Sequence, residues 1–565
     1  MKRLEKEVGP DRTLRWYSSP SFGLIKGSTM RLFTFRNFLL LVIGLHLFNG
    51  GVAICAQSTR APAIIPKPAH MKVNRGAFTL APGTKILVRS DDAGAHRVGE
   101  YLSKFISGAV GGPIPVHDAP GSSVERGAVL LSLQESPTLG PEGYELTVTP
   151  HNIRINAAKA AGLFYGVQTL RQMLPPEMES NTAVKKPLKL PCVYIQDQPR
   201  YSWRGLMLDC SRTFLSLAYL RSTLDHMALY KLNVLHLHLT DDQGWRLEIK
   251  KYPDLTRRGA YFDARYGGGG GFYTQQEMRD LIAYAAERHI TIVPEIEMPG
   301  HSLEVLATYP ELACDLAEPR KFEIRPWVNG QGLLQPVCAG NDKVYEMYQD
   351  ILSEVMDLFP SPFVHVGGDE APKDAWKKCP RCQARIQAEG LKDEEGLQSY
   401  FMQRIEKVID SRGRRMIGWD EILEGGLAPG ATVMSWRGTR GGVAAAHQDH
   451  DVVMAPNPFT YFDYSYHTTP TERVYSYNPA SKEFTAAMAR HILGVEACMW
   501  THLAVTDTAI DRQIYPRMLA LAELAWTPQQ LRDWSNFNTR LGAHYARLKR
   551  LGIAYYDGAK VKGTK

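Results

Sequence analysis

The chain has 565 residues, 44% of them apolar, and a formal net charge of +7. The length points to two or three domains, and the apolar content excludes a disordered chain. The charge does not mark a nucleic-acid binder, because residues 1–56 carry +5 of it and leave only about +2 for the rest.

That basic excess flanks a targeting segment. Arg31 and Arg36 precede the apolar run "FLLLVIGLHLF", residues 38–48, and the small-residue stretch "GGVAICAQS" follows. A basic region, a short apolar region and a small-residue exit make a secretory signal. The run is shorter than the ~20 residues a membrane span needs. Met30 as the start gives a signal of normal length. Cys55 suggests a lipoprotein, but Ile54 is bulky where such a site wants a small residue. The expectation is an exported chain, periplasmic or secreted, with no stable membrane span in the mature form; a retained anchor is the alternative.

Residues 57 to about 70 are rich in Pro and Ala and read as a linker. From there to residue 197 strands and helices mix in a smaller α/β domain. "GYELTVTPHNIRINA" alternates like a hairpin and "AGLFYGVQTLRQML" has helical spacing. Pro175 and Pro176, with the polar stretch after them, read as a boundary. No chemical motif stands out before residue 198.

From 198 to 530 the rhythm changes. Strand candidates are "RGLMLD", "NVLHLHL", "TIVPEIE", "FVHVGG", "RMIGW", "ATVMSW", "DVVMAP" and "ILGVEACMW". Amphipathic segments such as "LAYLRSTLDHMALYK" and "QQEMRDLIAYAAERH" separate them, and "IDRQIYPRMLALAELAW" reads as the closing helix. Eight strands alternating with helices predict a (β/α)8 barrel; residues 531–565 add a C-terminal helix and tail. Chemistry in such barrels sits at the carboxyl ends of the strands. There the sequence places Asp209 and Arg212, Asp241, Asp242 and Trp245, His301, Asp369 and Glu370, Trp419, Asp420 and Glu421, Trp436, Tyr461 and Asp463, then Trp500 and His502. The five-glycine run Gly267–Gly271 lacks a following Lys-Ser/Thr and reads as a mobile loop rather than a phosphate loop.

Cysteine usage is open. Cys314 and Cys338 flank a loop-like stretch and can pair in an oxidising compartment. "CPRC", Cys379 to Cys382, is a tight disulfide or half a zinc site, but the sequence offers no evident second pair. Cys192, Cys210 and Cys498 read as buried thiols.

The segment "FVHVGGDEAP" puts two acids side by side after a strand. Neighbours on a regular strand face opposite ways, but Gly367 and Gly368 can relieve that alternation. Two carboxylates in one mouth resist joint ionisation, so one can hold a proton for a leaving oxygen while the other stays charged. Glycoside hydrolysis uses that division. The competing reading is an N-cap for a helix in "APKDAWKK".

"LDCSR", "LNVLHLHLTDDQGWR", "EIEMPGH", "HVGGDE", "GWDEI" and "MWTH", in this order, closely resemble the family 20 glycoside hydrolases, the β-N-acetylhexosaminidases. The resemblance runs from about residue 60 to 530. It implies exo-acting, retaining removal of terminal N-acetylglucosamine or N-acetylgalactosamine, with no cofactor and no metal. Substrates would be N-acetylhexosamine-terminated glycans or chito-oligosaccharides. The substrate's own acetamido oxygen would attack, giving an oxazolinium intermediate. Glu370 would be the general acid and then the base. Asp369 would orient the acetamido group and stabilise the intermediate, and Tyr461 would hydrogen-bond the acetamido oxygen. Trp419, Trp436 and Trp500 would wall the pocket, Arg212 and Asp463 would hold the sugar, and Asp241 and His301 would form a relay to Glu370. One position departs: the family's "WTE" reads Trp500-Thr501-His502 here, which implies altered preference at the 4- or 6-hydroxyl.

Two other readings compete. His236 and His238, two apart on a strand, could serve a metal hydrolase with Asp241 and His301. A non-catalytic sugar-binding protein is the second, although binding alone does not need the acid pair.

Overall fold

The computed structural model describes residues 61–558 except 120, 122–124, 181–187, 316–320 and 329–335. The signal segment, its basic flank, the Met30 start and Cys55 lie outside the described residues. Among the described residues no helix is long and apolar enough to cross a membrane.

The first layer is a seven-stranded mixed sheet. Its strands are β1 (His70–Leu80), β2 (Lys85–Arg89), β3 (Val116–Asp118), β4 (Ala128–Leu133), β5 (Tyr144–Val148), β6 (Ile153–Ala157) and β7 (Leu188–Asp197), in the order β1-β7-β5-β6-β4-β2-β3. β5 and β6 pair antiparallel with every second residue buried, as the alternation predicts. Helices α1 (Ala93–Val110) and α2 (Ala160–Met173) pack against this sheet. Pro175-Pro176 is not a domain edge: β7 lies beyond it and pairs with both β1 and β5.

The segment read as a linker is packed. Ile64 and Ile65 are fully buried. Gln172 of α2 bonds both the amide and the carbonyl of Ile65, and Arg540, on the C-terminal helix Trp534–Arg550, donates to Ile64 O at 2.7 Å. A Pro/Ala-rich stretch lacks the periodicity that announces burial, so composition misleads there.

The second layer is the barrel. Its strands are β8 (Trp203–Asp209), β9 (Val234–His238), β12 (Thr291–Met298), β13 (Phe363–Gly367), β14 (Arg415–Trp419), β15 (Thr432–Ser435), β16 (Val452–Met454) and β17 (Ile492–Met499); the two-residue strands β10 (Thr240–Asp241) and β11 (Gly244–Trp245) form a small pair outside it. All neighbours in the barrel are parallel, and β17 closes on β8. All eight predicted strands are barrel strands. The predicted closing helix is two, Asp507–Ile514 and Arg517–Trp526. Pro516, which has no amide hydrogen to continue a helix, separates them.

The layers meet at Asp197, at the end of β7. Its Oδ1 accepts from Ala69 N; its Oδ2 accepts from Tyr144 Oη, Lys231 Nζ and Trp526 Nε1 at 2.8–3.1 Å. Asp197 and Lys231 are both fully buried, so this pair holds the sheet to the barrel in a low-dielectric setting where losing one partner is costly.

The distal part of the five-glycine loop is held by hydrogen bonds. Phe262 N donates to Gly269 O and Gly271 N to Ala260 O, and a Cβ at Gly271 would lie 2.6 Å from the Phe214 ring. Cys314 and Cys338 are not a disulfide. All the described cysteines are free, and those two gather with Cys379 and Cys382, supplying the second pair that the sequence did not reveal.

Candidate active site

The acid pair begins where β13 ends. Gly367 and Gly368 adopt φ +66° and +94°, a region costly for residues with a Cβ. Gly368 N donates to Glu297 Oε1 at 3.0 Å, and a Cβ on Gly367 would stand 1.8 Å from that oxygen. The glycines thus let the chain turn over a buried carboxylate, and the strand's alternation stops. Glu370 itself sits at φ +44°, strain of the kind that clusters at functional sites. The following helix, Asp374–Lys378, starts at Lys373 with no side-chain cap, so neither acid is an N-cap.

Both acids turn to one imidazole. His301 Nε2 is 3.6 Å from Asp369 Oδ2 and 3.5 Å from Glu370 Oε2. Their settings differ: the Asp369 side chain is 13% exposed and that of Glu370 49%. Asp369 Oδ1 is buried and has no hydrogen-bond partner among the described residues. Burial pushes the Asp369 carboxyl up to about 6. The hydrogen bond to His301 holds Glu370 below its ordinary value. The raised acid in the open site is therefore Asp369. The sequence argument calls for one raised acid, and burial decides which.

A polar chain runs beneath the pair. His301 Nδ1 is 3.2 Å from Asp241 Oδ1. Asp241 Oδ2 meets Arg212 Nη2 at 2.6 Å and His238 Nε2 at 2.8 Å. His238 Nδ1 bonds Glu295, which also accepts from Trp419 Nε1 at 2.8 Å and lies 2.9 Å from His365. Asp241 stays ionised despite burial, with Arg212 and His301 holding it well below the carboxylate range. Carboxylates on both sides raise His238 to about 10 against its burial. Both His238 nitrogens are thus engaged by carboxylates, Glu295 at Nδ1 and Asp241 at Nε2. His236 and His238 do share a face, since both reach Glu295.

Aromatic rings line one side. Trp436 stacks on Tyr461 at 6.0 Å and 15°, Tyr461 lies 6.2 Å from Trp500, and Trp500 lies 5.9 Å from Trp419. Trp419 is 1% exposed and forms floor rather than wall. The Arg212 guanidinium lies 4.9 Å over the Trp500 ring. Tyr461 is carried by a short parallel bridge to Cys498, with Phe462 N donating to Cys498 O at 2.8 Å. Arg517 secures this segment from the barrel's last helix, donating to the carbonyls of Phe462 and Tyr464. Asp463 is pushed up to about 7 by burial, and its Oδ1 has no partner among the described residues. His502 sits at the outer edge, 4.7 Å from the Trp327 ring. There it lines a hollow of about 370 Å³ with Arg212, Phe214 and Phe262. Burial, then the Arg212 charge, holds the His502 imidazole below its ordinary value, so it is neutral at pH 7.

Sequence reasoning passed over Glu295 and Glu297. Both are fully buried on β12, and burial beside Asp369 raises Glu297 well above its ordinary value. The signal was present: "EIE" has the same two-residue spacing as "HLH" on neighbouring β9, so both pairs share the barrel interior. Glu421, which the sequence places at a strand end without a role, also faces the site. It accepts from Trp436 Nε1 at 2.8 Å and is raised to about 8 by burial and the charge of Asp369.

Comparison with known proteins agrees with this geometry. Residues 201–529 match the model of "Glycosyl hydrolase family 20, catalytic domain", and residues 61–198 match "Glycosyl hydrolase family 20, domain 2". A β-hexosaminidase of Porphyromonas gingivalis is 43% identical over 511 residues, covering 87% of this chain and 64% of that protein; the chain thus spans less than two thirds of that relative's length. The β-N-acetylhexosaminidase structure from Streptomyces coelicolor superposes with a TM-score of 0.77 at 34% identity, over 89% of this chain and 99% of that one. A mutant Streptomyces plicatus β-hexosaminidase in complex with its product N-acetylglucosamine gives 0.78 at 34% identity, over 89% and 98%. The chain belongs to glycosyl hydrolase family 20 and is, by that membership, a glycoside hydrolase.

Proposed function

We propose that the chain is an exo-acting β-N-acetylhexosaminidase that removes terminal N-acetylglucosamine or N-acetylgalactosamine with retention, the substrate's acetamido oxygen acting as nucleophile. The carrying observation is the convergence of a buried carboxylate with an unpartnered oxygen and a half-exposed carboxylate on one imidazole. Asp369 Oδ1 suits the acetamido N–H: it is an acceptor without a donor, and an unmatched buried acceptor costs about 1–3 kcal/mol. Accepting that bond makes the amide oxygen a stronger nucleophile and leaves the anion beside the positive oxazolinium ring. Glu370 is the exposed member, open to the glycosidic oxygen of an incoming chain. A bound sugar removes water from Glu370, which raises its pKa and favours the protonated acid. His301 and Asp241, one imidazole behind both acids, set how the proton is shared. Tyr461 suits the acetamido oxygen, Trp436 and Trp500 the apolar sugar faces, and Arg212 and Asp463 the hydroxyls. Product-bound N-acetylglucosamine in the Streptomyces plicatus relative supports the substrate class.

The test is release of 4-nitrophenol from 4-nitrophenyl N-acetyl-β-glucosaminide and galactosaminide, followed for the parent chain and for Glu370→Gln. Turnover by the parent and its loss in the variant are expected. A parent that binds the sugar without turning it over would support the sugar-binding alternative.

A further inference from the structure

Four cysteines from three separate stretches meet away from the acid pair. Cys314 Sγ lies 3.8 Å from Cys382 Sγ, and Cys338 Sγ lies 3.7 Å from Cys379 Sγ and 3.6 Å from Cys382 Sγ. All four sulfurs lie within 4.8 Å of one another. A tetrahedron of thiolates about 2.3 Å from a central zinc has edges of about 3.8 Å, whereas a disulfide needs about 2.05 Å. We infer that Cys314, Cys338, Cys379 and Cys382 form a structural zinc site.

The surrounding backbone is built for it. Cys379 precedes Pro380 at the start of the helix Pro380–Ala388, and Cys382 lies in the first turn of that helix. The Cys338 turn lies directly on the "CPRC" turn: a Cβ on Gly340 would stand 2.3 Å from Arg381 C and 2.5 Å from Cys382 N. Only glycine lets the two turns approach this closely. Arg381 Nη2 donates to Ala313 O, Cys338 N to Leu312 O, and Trp376 Nε1 to Val337 O, each at 2.8–2.9 Å. Four soft ligands in closed coordination fit zinc without an open position for catalysis. Binding exchanges four thiol protons for one divalent cation and involves no oxidation. The site ties the segment after β12, which carries His301, to the segment after β13, which carries Asp369 and Glu370. It thereby fixes the spacing of the two loops on which the acids and their shared imidazole sit.

The test uses the full chain, purified without added chelator. Elemental analysis should give one zinc per chain. Titration with a thiol-specific mercurial should release that zinc as four thiols react. X-ray absorption at the zinc edge should show a shell of four sulfurs near 2.3 Å. Gly340→Ala and Cys382→Ser should each lose the metal, while Cys192→Ser retains it. Metal-free parent protein with two disulfides in non-reducing peptide maps, or with four free thiols after zinc is supplied, would overturn the assignment, as would stoichiometric iron. None of these readouts depends on glycosidase activity.

Discussion

Gly367 and Glu297 share a space that admits no methyl group: a Cβ at 367 would stand 1.8 Å from Glu297 Oε1. This close approach converts a strand that would point its acids to opposite faces into a turn that sends both to His301. Gly367→Ala combines a left-handed φ with overpacking, each costing about 1–3 kcal/mol. It should lower stability to urea by about 3 kcal/mol or more and abolish turnover. Pairing it with Glu297→Ala should recover part of the stability, since the variants remove one shared clash.

Glu370→Gln and Asp369→Asn should fail differently. The first removes the proton donor, so activated aryl substrates should lose less than alkyl glycosides, whose leaving groups need protonation. The second leaves a neutral group facing the acetamido N–H and should slow both kinds alike. General acid or base contributions of this type are about 10²–10⁴-fold. Parallel losses for aryl and alkyl leaving groups in both variants would count against the division of roles.

The pH dependence follows from the two carboxyls. The proposed mechanism requires Glu370 protonated and Asp369 ionised, the reverse of their order in the open site, where Glu370 is lowered and Asp369 is raised to about 6. Below both values Asp369 is protonated, so kcat/KM rises with pH. Between them the gain from Asp369 offsets the loss from Glu370. Above about 6 Asp369 is fully ionised, and kcat/KM falls as protonated Glu370 becomes scarce. Asp369→Asn should abolish the plateau and its limb at about 6. In kcat the alkaline limb should move upward, because bound sugar dries Glu370. Stopped assays across pH 3–9 on parent and variant check this.

His502 is neutral, beside Trp327 and Arg212, at the position where the family motif "WTE" implies a carboxylate. His502→Glu places an anion near the Arg212 charge and should change the ratio of gluco- to galacto-configured turnover by about tenfold, one charged hydrogen bond's worth. An unchanged ratio would exclude the position from hydroxyl selection.

Asp197 joins Ala69, just before β1, to Tyr144 of the sheet and to Lys231 and Trp526 through four donors. Asp197→Ala leaves a buried ammonium unpaired and should cost about 3–5 kcal/mol, read as an earlier urea midpoint. Asp197→Ala with Lys231→Met should recover much of that loss.

The barrel was legible because each of its eight strands is a short apolar run bounded by polar residues, and its site because polar side chains cluster at the strand ends. The convergence of Asp369 and Glu370 was inferable from the two glycines, but the choice of the raised acid was not. That choice depends on exposure, which the local sequence does not encode. Glu297, His365 and Glu295 were hidden for a related reason: charged residues inside apolar strands make sense only once neighbouring strands bring partners. The four-cysteine cluster joins positions up to 68 residues apart, a distance no spacing rule spans. The Pro/Ala-rich stretch around Ile64 shows the converse, a segment whose composition suggests exposure but whose partners bury it.

The central claim, attack by the substrate's own amide oxygen, is tested most directly with 4-nitrophenyl glycosides bearing N-acetyl, N-fluoroacetyl, N-difluoroacetyl and N-trifluoroacetyl groups. Fluorine withdraws electrons from the attacking oxygen, so kcat/KM should fall steeply with each substitution, and the glucoside lacking the amide should not turn over. Equal rates across the series, or turnover of the plain glucoside at a similar rate, would contradict the account.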